Sequence, residues 1–189
     1  MTDCKIKKLS LTFRSAIEAA MNDNQFDRDL CFNRFPNGCC GDTCYLLAEF
    51  LRNEGVESIW CSTERGDWSH AWLVVNDNRI QSPVQNTVSL PEELWPVLAN
   101  YGMENPAHGI VNKNYISDDL QYGLIIDITA DQFPDYKIPV YVGLMDAFHK
   151  SFSFIQAYDM FELNDYRLLE LYRKIKKYDY DYDRGKENE

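Results

Sequence analysis

Residues 35–44 read Phe35-Pro36-Asn37-Gly38-Cys39-Cys40-Gly41-Asp42-Thr43-Cys44, so two adjacent cysteines stand between a turn signal and a helical pattern. The Asn37-Gly38 pair is typical of a turn. After it, apolar residues recur at i, i+3, i+4 and i+7 and predict the buried face of a helix over residues 40–54, formed by Cys44, Leu47, Ala48 and Leu51. Gly55 suits the position at which such a helix ends. The stretch therefore predicts a half-buried helix that begins with a thiol.

A thiol at the start of a helix lies in a favourable place for nucleophilic chemistry. The unpaired backbone N–H groups and the positive end of the helix dipole stabilise the thiolate over the thiol. Cys40 occupies this position, whereas Cys44 lies one turn further on, along the predicted core-facing side. We therefore expect Cys40 to react and Cys44 to be inert. The neighbouring Cys39 leaves the choice between two adjacent thiols open.

Composition limits the classes of protein to consider. The chain has 189 residues, 45% of them hydrophobic and 14% aromatic, which predicts one folded domain over residues 1–189 rather than disorder. A formal net charge of -11 argues against a nucleic-acid partner. No apolar run reaches the roughly 18 residues that a membrane-spanning helix needs, and no secretion signal stands at the N-terminus. We expect a cytoplasmic protein whose six cysteines are reduced thiols, with signal-independent export left open.

The rest of the chain predicts an α+β fold in which helices pack on an antiparallel-looking sheet. Residues 83–121 interrupt the pattern and are interpreted as an insertion or lid whose short helix, 90–101, carries Trp95 and Tyr101. Helices are expected over 9–22, capped by Ser10, and over 152–177, as one long helix or two shorter ones broken near Asn164-Asp165. Strands are expected at 56–61, 70–75, 122–128 and 138–142, with a short return strand at 79–81. A loop at 64–67 and a frayed acidic tail at 178–189 complete the prediction. Pro139 suggests that the strand over 138–142 lies at a sheet edge.

Two further residues complete a possible catalytic triad with Cys40. His70 opens a nearly continuous apolar strand, and Asp127 ends another one. Neighbouring strands lie about 4.8 Å apart, so side chains at matching heights can hydrogen-bond. A carboxylate on one imidazole nitrogen fixes the tautomer and leaves the other nitrogen for the thiol.

Other residues could take these roles. Asp127 could instead be a turn former, as could the nearby Asp131 and Asp135, and Asp131 is the next candidate if Asp127 does not orient His70. His108 and His149 fit the role of base less well than His70. A metal site is the other alternative for the cysteines and His70, formed from Cys39, Cys40, Cys44, Cys61 and His70. Their spacing is not that of a zinc knuckle, and no C-x-x-C motif occurs, so we expect no metal ligands among them.

Three motifs together carry a resemblance to a known family. Cys40-Gly41-Asp42, then Ser69-His70-Ala71-Trp72-Leu73, then Ile126-Asp127-Ile128-Thr129 resemble the transglutaminase-like branch of the papain-like thiol superfamily. The order Cys, His, Asp is also that of the arylamine N-acetyltransferases. The stretch from Ile125 to Phe133 is similar to small bacterial and phage-borne members of this branch. The resemblance covers roughly residues 35–142, without the insertion.

The resemblance implies a function as well as a fold. Cys40 would be the nucleophile, His70 the base and Asp127 the residue that orients His70, with no cofactor. The expected activity is that of a thiol hydrolase that cleaves or deamidates an amide or isopeptide bond in a peptide or protein substrate. Two alternatives stay open: an acyltransferase of the transglutaminase or arylamine N-acetyltransferase type, and a non-catalytic acidic binding or immunity protein. The sequence does not indicate the oligomeric state.

Overall fold

A computed structural model of the chain describes residues 3–75, 123–160 and 162–178. Several expectations fall outside these residues: the return strand at 79–81, the insertion or lid at 83–121 with its 90–101 helix, and the tail beyond residue 178. Tyr178 itself is described, and its hydroxyl donates a hydrogen bond to Asp23 Oδ2 at 2.8 Å.

The described residues form three α-helices: α1 (Asp3–Asn22), α2 (Cys40–Asn53) and α3 (Tyr166–Lys176). Helix α1 begins at Asp3, before the predicted start at Leu9. The prediction missed the first turns because they are exposed except for Ile6 and so lack a regular apolar spacing. The prediction of Ser10 as a cap was wrong. Ser10 is buried inside the helix, where its hydroxyl donates to the carbonyl of Ile6 at 2.9 Å.

Helix α2 matches the predicted element and ends as the sequence indicated. Gly55 has φ +77°, a left-handed conformation that favours glycine. Its N–H donates to Arg52 O at 2.9 Å, and the N–H of Val56 donates to Leu51 O at 2.9 Å. This pair of hydrogen bonds is the Schellman motif, which satisfies the last carbonyls of a helix.

Five antiparallel strands form one sheet in the order β4-β3-β2-β1-β5. Their bounds are β1 Ser58–Arg65, β2 Trp68–Val75, β3 Ile125–Asp127, β4 Tyr141–Gly143 and β5 Ser153–Asp159. The predicted loop at 64–67 is a tighter turn, because β1 and β2 continue to Arg65 and from Trp68. Gly66, at φ +59°, takes the first central position of this hairpin turn. Strand β4 lies at a sheet edge, as Pro139 indicated.

The expectation of helix throughout residues 152–177 was wrong in its first part. Residues 153–159 form β5, which pairs antiparallel with β1 and shifts register between Ser62 and Thr63. The spacing of apolar residues within 152–177 could not reveal that the edge of β1 opposite β2 accepts a strand. The predicted break near Asn164-Asp165 is real, since the Asp165 side chain accepts from Leu168 N at 2.8 Å and caps α3.

Apolar clusters cover both faces of the sheet. Ala71 and Leu73 of β2 belong to the cluster that includes the buried sides of α1, α2 and α3. Trp72 and Val74, with the opposite orientation, belong to a second cluster that includes Phe133, Phe148 and Phe152. Helices and an antiparallel sheet thus form an α+β fold, as predicted. Within the described ranges, no helix combines the length and the apolar character needed to cross a membrane.

Candidate active site

Cys40 is the first residue of α2, and its thiol contacts strand β2. Strand β3 pairs with β2 only through Val74–Ile125 and Leu73–Ile126. Beyond this short ladder, the backbone N–H of Ala71 donates a hydrogen bond to the Cys40 sulfur, and the His70 side chain hydrogen-bonds the same atom. The sulfur therefore receives polar contacts from two successive residues of β2.

The imidazole of His70 lies between Cys40 and Asp127. Its Nε2 donates a hydrogen bond to Asp127 Oδ2 at 2.6 Å, and both side chains are fully buried. The rings of Phe133, Trp72 and Phe152 surround His70, with centroids 4.9, 5.6 and 5.7 Å from that of the imidazole. With Nε2 bound to the carboxylate, Nδ1 is the nitrogen left to face the thiol.

Asp127 is fixed by its second oxygen as well. The backbone N–H of Thr129 donates to Asp127 Oδ1 at 2.9 Å, and the Thr129 hydroxyl lies 3.3 Å from the same atom. Burial alone would raise the pKa of this carboxyl, but the charges and hydrogen bonds of the nearby imidazoles lower it well below its usual range. The carboxylate is therefore ionised and points at His70.

These contacts change the ionisation of the thiol and the imidazole in opposite directions. Burial raises the pKa of Cys40, but the hydrogen bond and charge of His70 and the N–H of Ala71 outweigh it, so the pKa is lowered. Burial lowers the pKa of His70, but the charge and hydrogen bond of Asp127 and the contact with Cys40 raise it to about 9. Both shifts favour a thiolate beside an imidazolium, the form that a nucleophilic cysteine uses.

The neighbouring cysteines have the opposite character. Burial raises the pKa of Cys39 to about 12, and its sulfur lies 3.3 Å from the carbonyl of Pro36. Burial also raises the pKa of Cys44 and of Cys61 far above the usual thiol range. Of these four thiols, only Cys40 combines partial exposure with a lowered pKa, which separates it from Cys39.

The nearby carboxylates Asp131 and Asp135 have partners elsewhere in the fold. Asp131 forms a two-point ion pair with Arg14, with both N–O distances 2.9 Å, and Arg14 also donates to the carbonyl of Ile128 at 2.6 Å. Asp135 pairs with Arg65 at 2.7 Å. The structure thus places Asp127, and neither of these two, against an imidazole. The alternative base His108 lies outside the described residues.

Sequence reasoning underrated His149. This histidine is fully buried behind Asp127, with its Nε2 3.4 Å from Asp127 Oδ2. Its Nδ1 lies 2.7 Å from Asp146 Oδ1, and Tyr136 donates to Asp146 Oδ2 at 2.8 Å. The flanking Phe148 was a sequence signal for burial, but nothing local indicated that a second imidazole would contact the same carboxylate.

Sequence reasoning missed Gln132 altogether. Its Nε2 lies 3.3 Å from His70 Nδ1, on the side of the imidazole that faces the thiol. The residue stands in a short 3-10 turn, Ala130–Gln132, that follows β3 by three residues. An isolated glutamine in a turn carries no local signal for a site, although it lies within the stretch that carries the family resemblance.

Among residues 3–75, 123–160 and 162–178, no group of three histidine, cysteine or acidic side chains has the arrangement of a metal site. Comparison with protein-family models, with curated proteins and with solved structures finds no match to this chain. The interpretation of the site therefore depends on its geometry and chemistry.

Proposed function

We propose that the protein is a thiol hydrolase that cleaves or deamidates an amide or isopeptide bond through Cys40, His70 and Asp127. The observation that carries this proposal is the position of one buried imidazole, hydrogen-bonded at once to a thiol of lowered pKa and to a fixed carboxylate. Nucleophile, base and orienting group are the three parts that thiol acyl chemistry needs.

The first half-reaction forms a thioester. The proton of Cys40 resides on His70 Nδ1, and a lone pair of the thiolate forms a bond to the carbonyl carbon while the C=O π electrons move to oxygen. The C=O bond then re-forms, the C–N bond breaks, and the leaving amine takes the proton from His70. Asp127 holds the imidazolium in place throughout and does not itself take the proton.

In the second half-reaction, water attacks the thioester carbon and gives its proton to His70. When the carbonyl re-forms, the C–S bond breaks, and Cys40 leaves as the thiolate beside an imidazolium. The products are a carboxylic acid and the starting ion pair. If an amine attacks instead of water, the same acyl-enzyme gives a new amide, which is the acyltransferase alternative.

The architecture supports a transglutaminase-like or papain-like form of the α+β fold. In such a fold a helix that begins with the nucleophile packs on an antiparallel sheet, and the base and the carboxylate come from adjacent strands. Here α2 begins at Cys40, while His70 and Asp127 lie on the neighbouring strands β2 and β3.

The non-catalytic alternative is less favoured by the site's electrostatics. A binding protein gains nothing from a partly exposed thiol whose pKa is lowered by a buried histidine–carboxylate pair. Desolvating such a pair costs several kcal/mol per ion unless the contacts compensate it, so a fold that retains one without need would be less stable.

Acylation by p-nitrophenyl acetate tests the proposal without a known substrate. We expect a burst of nitrophenolate and one acetyl group on Cys40, lost in Cys40→Ser and kept in the matched variant Cys31→Ser, which alters a partly buried thiol outside the triad. Slow release of the acetyl group that speeds up with added primary amines would favour the acyltransferase; release unaffected by amines would favour the hydrolase. No acetylation of Cys40 would refute both.

A further inference from the structure

The carboxamide of Gln132 joins the segment before Cys40 to the segment after Asp127. Its Oε1 accepts the backbone N–H of Gly38 at 3.2 Å, and its Nε2 donates to the carbonyl of Thr129 at 3.0 Å. A backbone N–H can only donate and a backbone carbonyl can only accept, so these two contacts fix which end of the amide is oxygen and which is nitrogen. The nitrogen is therefore the atom 3.3 Å from His70 Nδ1.

The amide nitrogen has two hydrogens, and Thr129 accepts only one of them. The second hydrogen points toward His70 Nδ1, the same nitrogen that faces the Cys40 thiol. When His70 is neutral, with its proton on Nε2 toward Asp127, Nδ1 can accept this hydrogen. When Nδ1 takes the proton from Cys40, two N–H groups face each other and the Gln132 hydrogen loses its acceptor.

In the resting thiolate–imidazolium pair Nδ1 already carries the proton, so this Gln132 hydrogen has no acceptor on His70 when the addition step creates a new one. Addition of the thiolate to a carbonyl leaves a negative oxygen close to the sulfur while His70 still holds the proton. The backbone N–H of Cys40, at the first position of α2, has no partner within the helix and supplies one donor for that oxygen. The remaining Gln132 N–H is next to the imidazole and free at the same moment.

We propose that Gln132 Nε2 is the second donor that stabilises the oxyanion formed on addition of Cys40 to a carbonyl. This inference rests on the proposed thiol acyl chemistry and adds a catalytic residue to it. In the resting ion pair His70 Nδ1 carries the proton and offers this N–H no acceptor; in the tetrahedral intermediate the N–H donates to the oxyanion. Gln132 thus contributes to the addition step and to no reaction of the thiolate that lacks an oxyanion.

Two electrophiles separate this role from an effect on the thiolate. Iodoacetamide alkylates Cys40 by displacing iodide, with no oxyanion, whereas p-nitrophenyl acetate acylates it through a tetrahedral intermediate. Because the Cys40 thiolate is the nucleophile in both reactions, the ratio of the acylation rate to the alkylation rate does not depend on the fraction of thiolate. Gln132→Met keeps the length of the side chain and removes both N–H groups, and Gln156→Met makes the same change at an exposed position on β5 as a control.

We expect Gln132→Met to lower the acylation-to-alkylation ratio about tenfold or more, since one oxyanion donor is worth about 100-fold in an optimised site. Gln156→Met should leave the ratio at the wild-type value. Gln132→Glu, which keeps an acceptor for Gly38 N–H and has no donor, should lower the ratio in the same way and serves if the Met variant fails to fold. If the ratio is unchanged in Gln132→Met and Gln132→Glu while wild-type Cys40 is still acylated, the role of Gln132 is overturned and the proposed function is not. If wild-type Cys40 is alkylated but never acylated, the proposed function is overturned.

Discussion

His149 Nε2 lies 3.4 Å from Asp127 Oδ2, the same oxygen that accepts the 2.6 Å hydrogen bond from His70. One carboxylate thus stands between two buried imidazoles. Only His70 also contacts the thiol; the other nitrogen of His149 faces Asp146. The geometry therefore distinguishes the two histidines: His70 lies between Asp127 and the thiol, where the proposed base would act, and His149 lies against the same carboxylate oxygen without contacting the thiol.

Matched substitutions of the two histidines test this division. We expect His70→Phe to slow alkylation of Cys40 by iodoacetamide at about pH 6 by about 100-fold, because the thiol pKa returns to its usual range. His149→Phe should keep most of the alkylation rate and instead lower the free energy of unfolding by about 1–3 kcal/mol, since Asp127 and Asp146 each lose a partner. Equal losses of alkylation rate in both variants would refute the assignment of His70 as the base.

A second prediction concerns which thiol reacts. After brief alkylation at about pH 6, peptide mass spectrometry should find the label on Cys40, because its pKa is lowered while those of Cys39, Cys44 and Cys61 are raised. Cys40→Ser should abolish the fast label without transferring it to Cys39. Early label on Cys39 in the wild-type protein would contradict the assignment.

A third prediction separates Asp127 from the nearby Asp131. Asp127→Asn should keep the fold but slow the alkylation of Cys40 about tenfold or more near neutral pH, because the imidazolium loses its counter-charge. Asp131→Asn should leave alkylation unchanged and lower the free energy of unfolding by about 1–3 kcal/mol through its ion pair with Arg14. If Asp131→Asn slowed alkylation more than Asp127→Asn, Asp131 would replace Asp127 in the mechanism.

A fourth prediction is that the free energy of unfolding depends on the ionisation of Asp127 at acid pH. Because the pKa of Asp127 is lower in the folded state than in the unfolded chain, its contribution is complete above the unfolded value of about 4 and is lost as the pH falls toward the folded value. The difference in free energy of unfolding between wild-type protein and Asp127→Asn should therefore be constant from about pH 5.5 to 4.5 and shrink below about pH 4. Urea denaturation followed by tryptophan fluorescence measures it, and a difference independent of pH would contradict the lowered pKa.

The parts of the site that lie on regular elements could be predicted from the sequence. The apolar stripe from Cys44 to Leu51 placed α2 correctly and so placed Cys40 at its first residue. Apolar runs beside His70 and Asp127 indicated buried strands, and both residues lie on such strands. The sequence of a single helix or strand was sufficient to place each of these residues, because each lies on an element with a clear pattern of apolar residues.

The parts that depend on tertiary contacts could not be predicted. Residues 153–159 contain apolar residues at spacings that also suit a helix, and only the free edge of β1 decides that they form a strand. His149 and Gln132 stand in short 3-10 turns, where no period exists and where orientation depends on Asp146, Gly38 and Thr129. Sequence alone gave no reason to bring either side chain to Asp127 or His70.

The short ladder between β2 and β3 has a consequence for how such a protein can diversify. His70 lies three residues from Leu73, and Asp127 lies next to Ile126, so the Leu73–Ile126 pair fixes their alignment whatever number of residues connects the two strands. We therefore expect a change of length or sequence in the connecting chain to leave the imidazole aligned with the carboxylate.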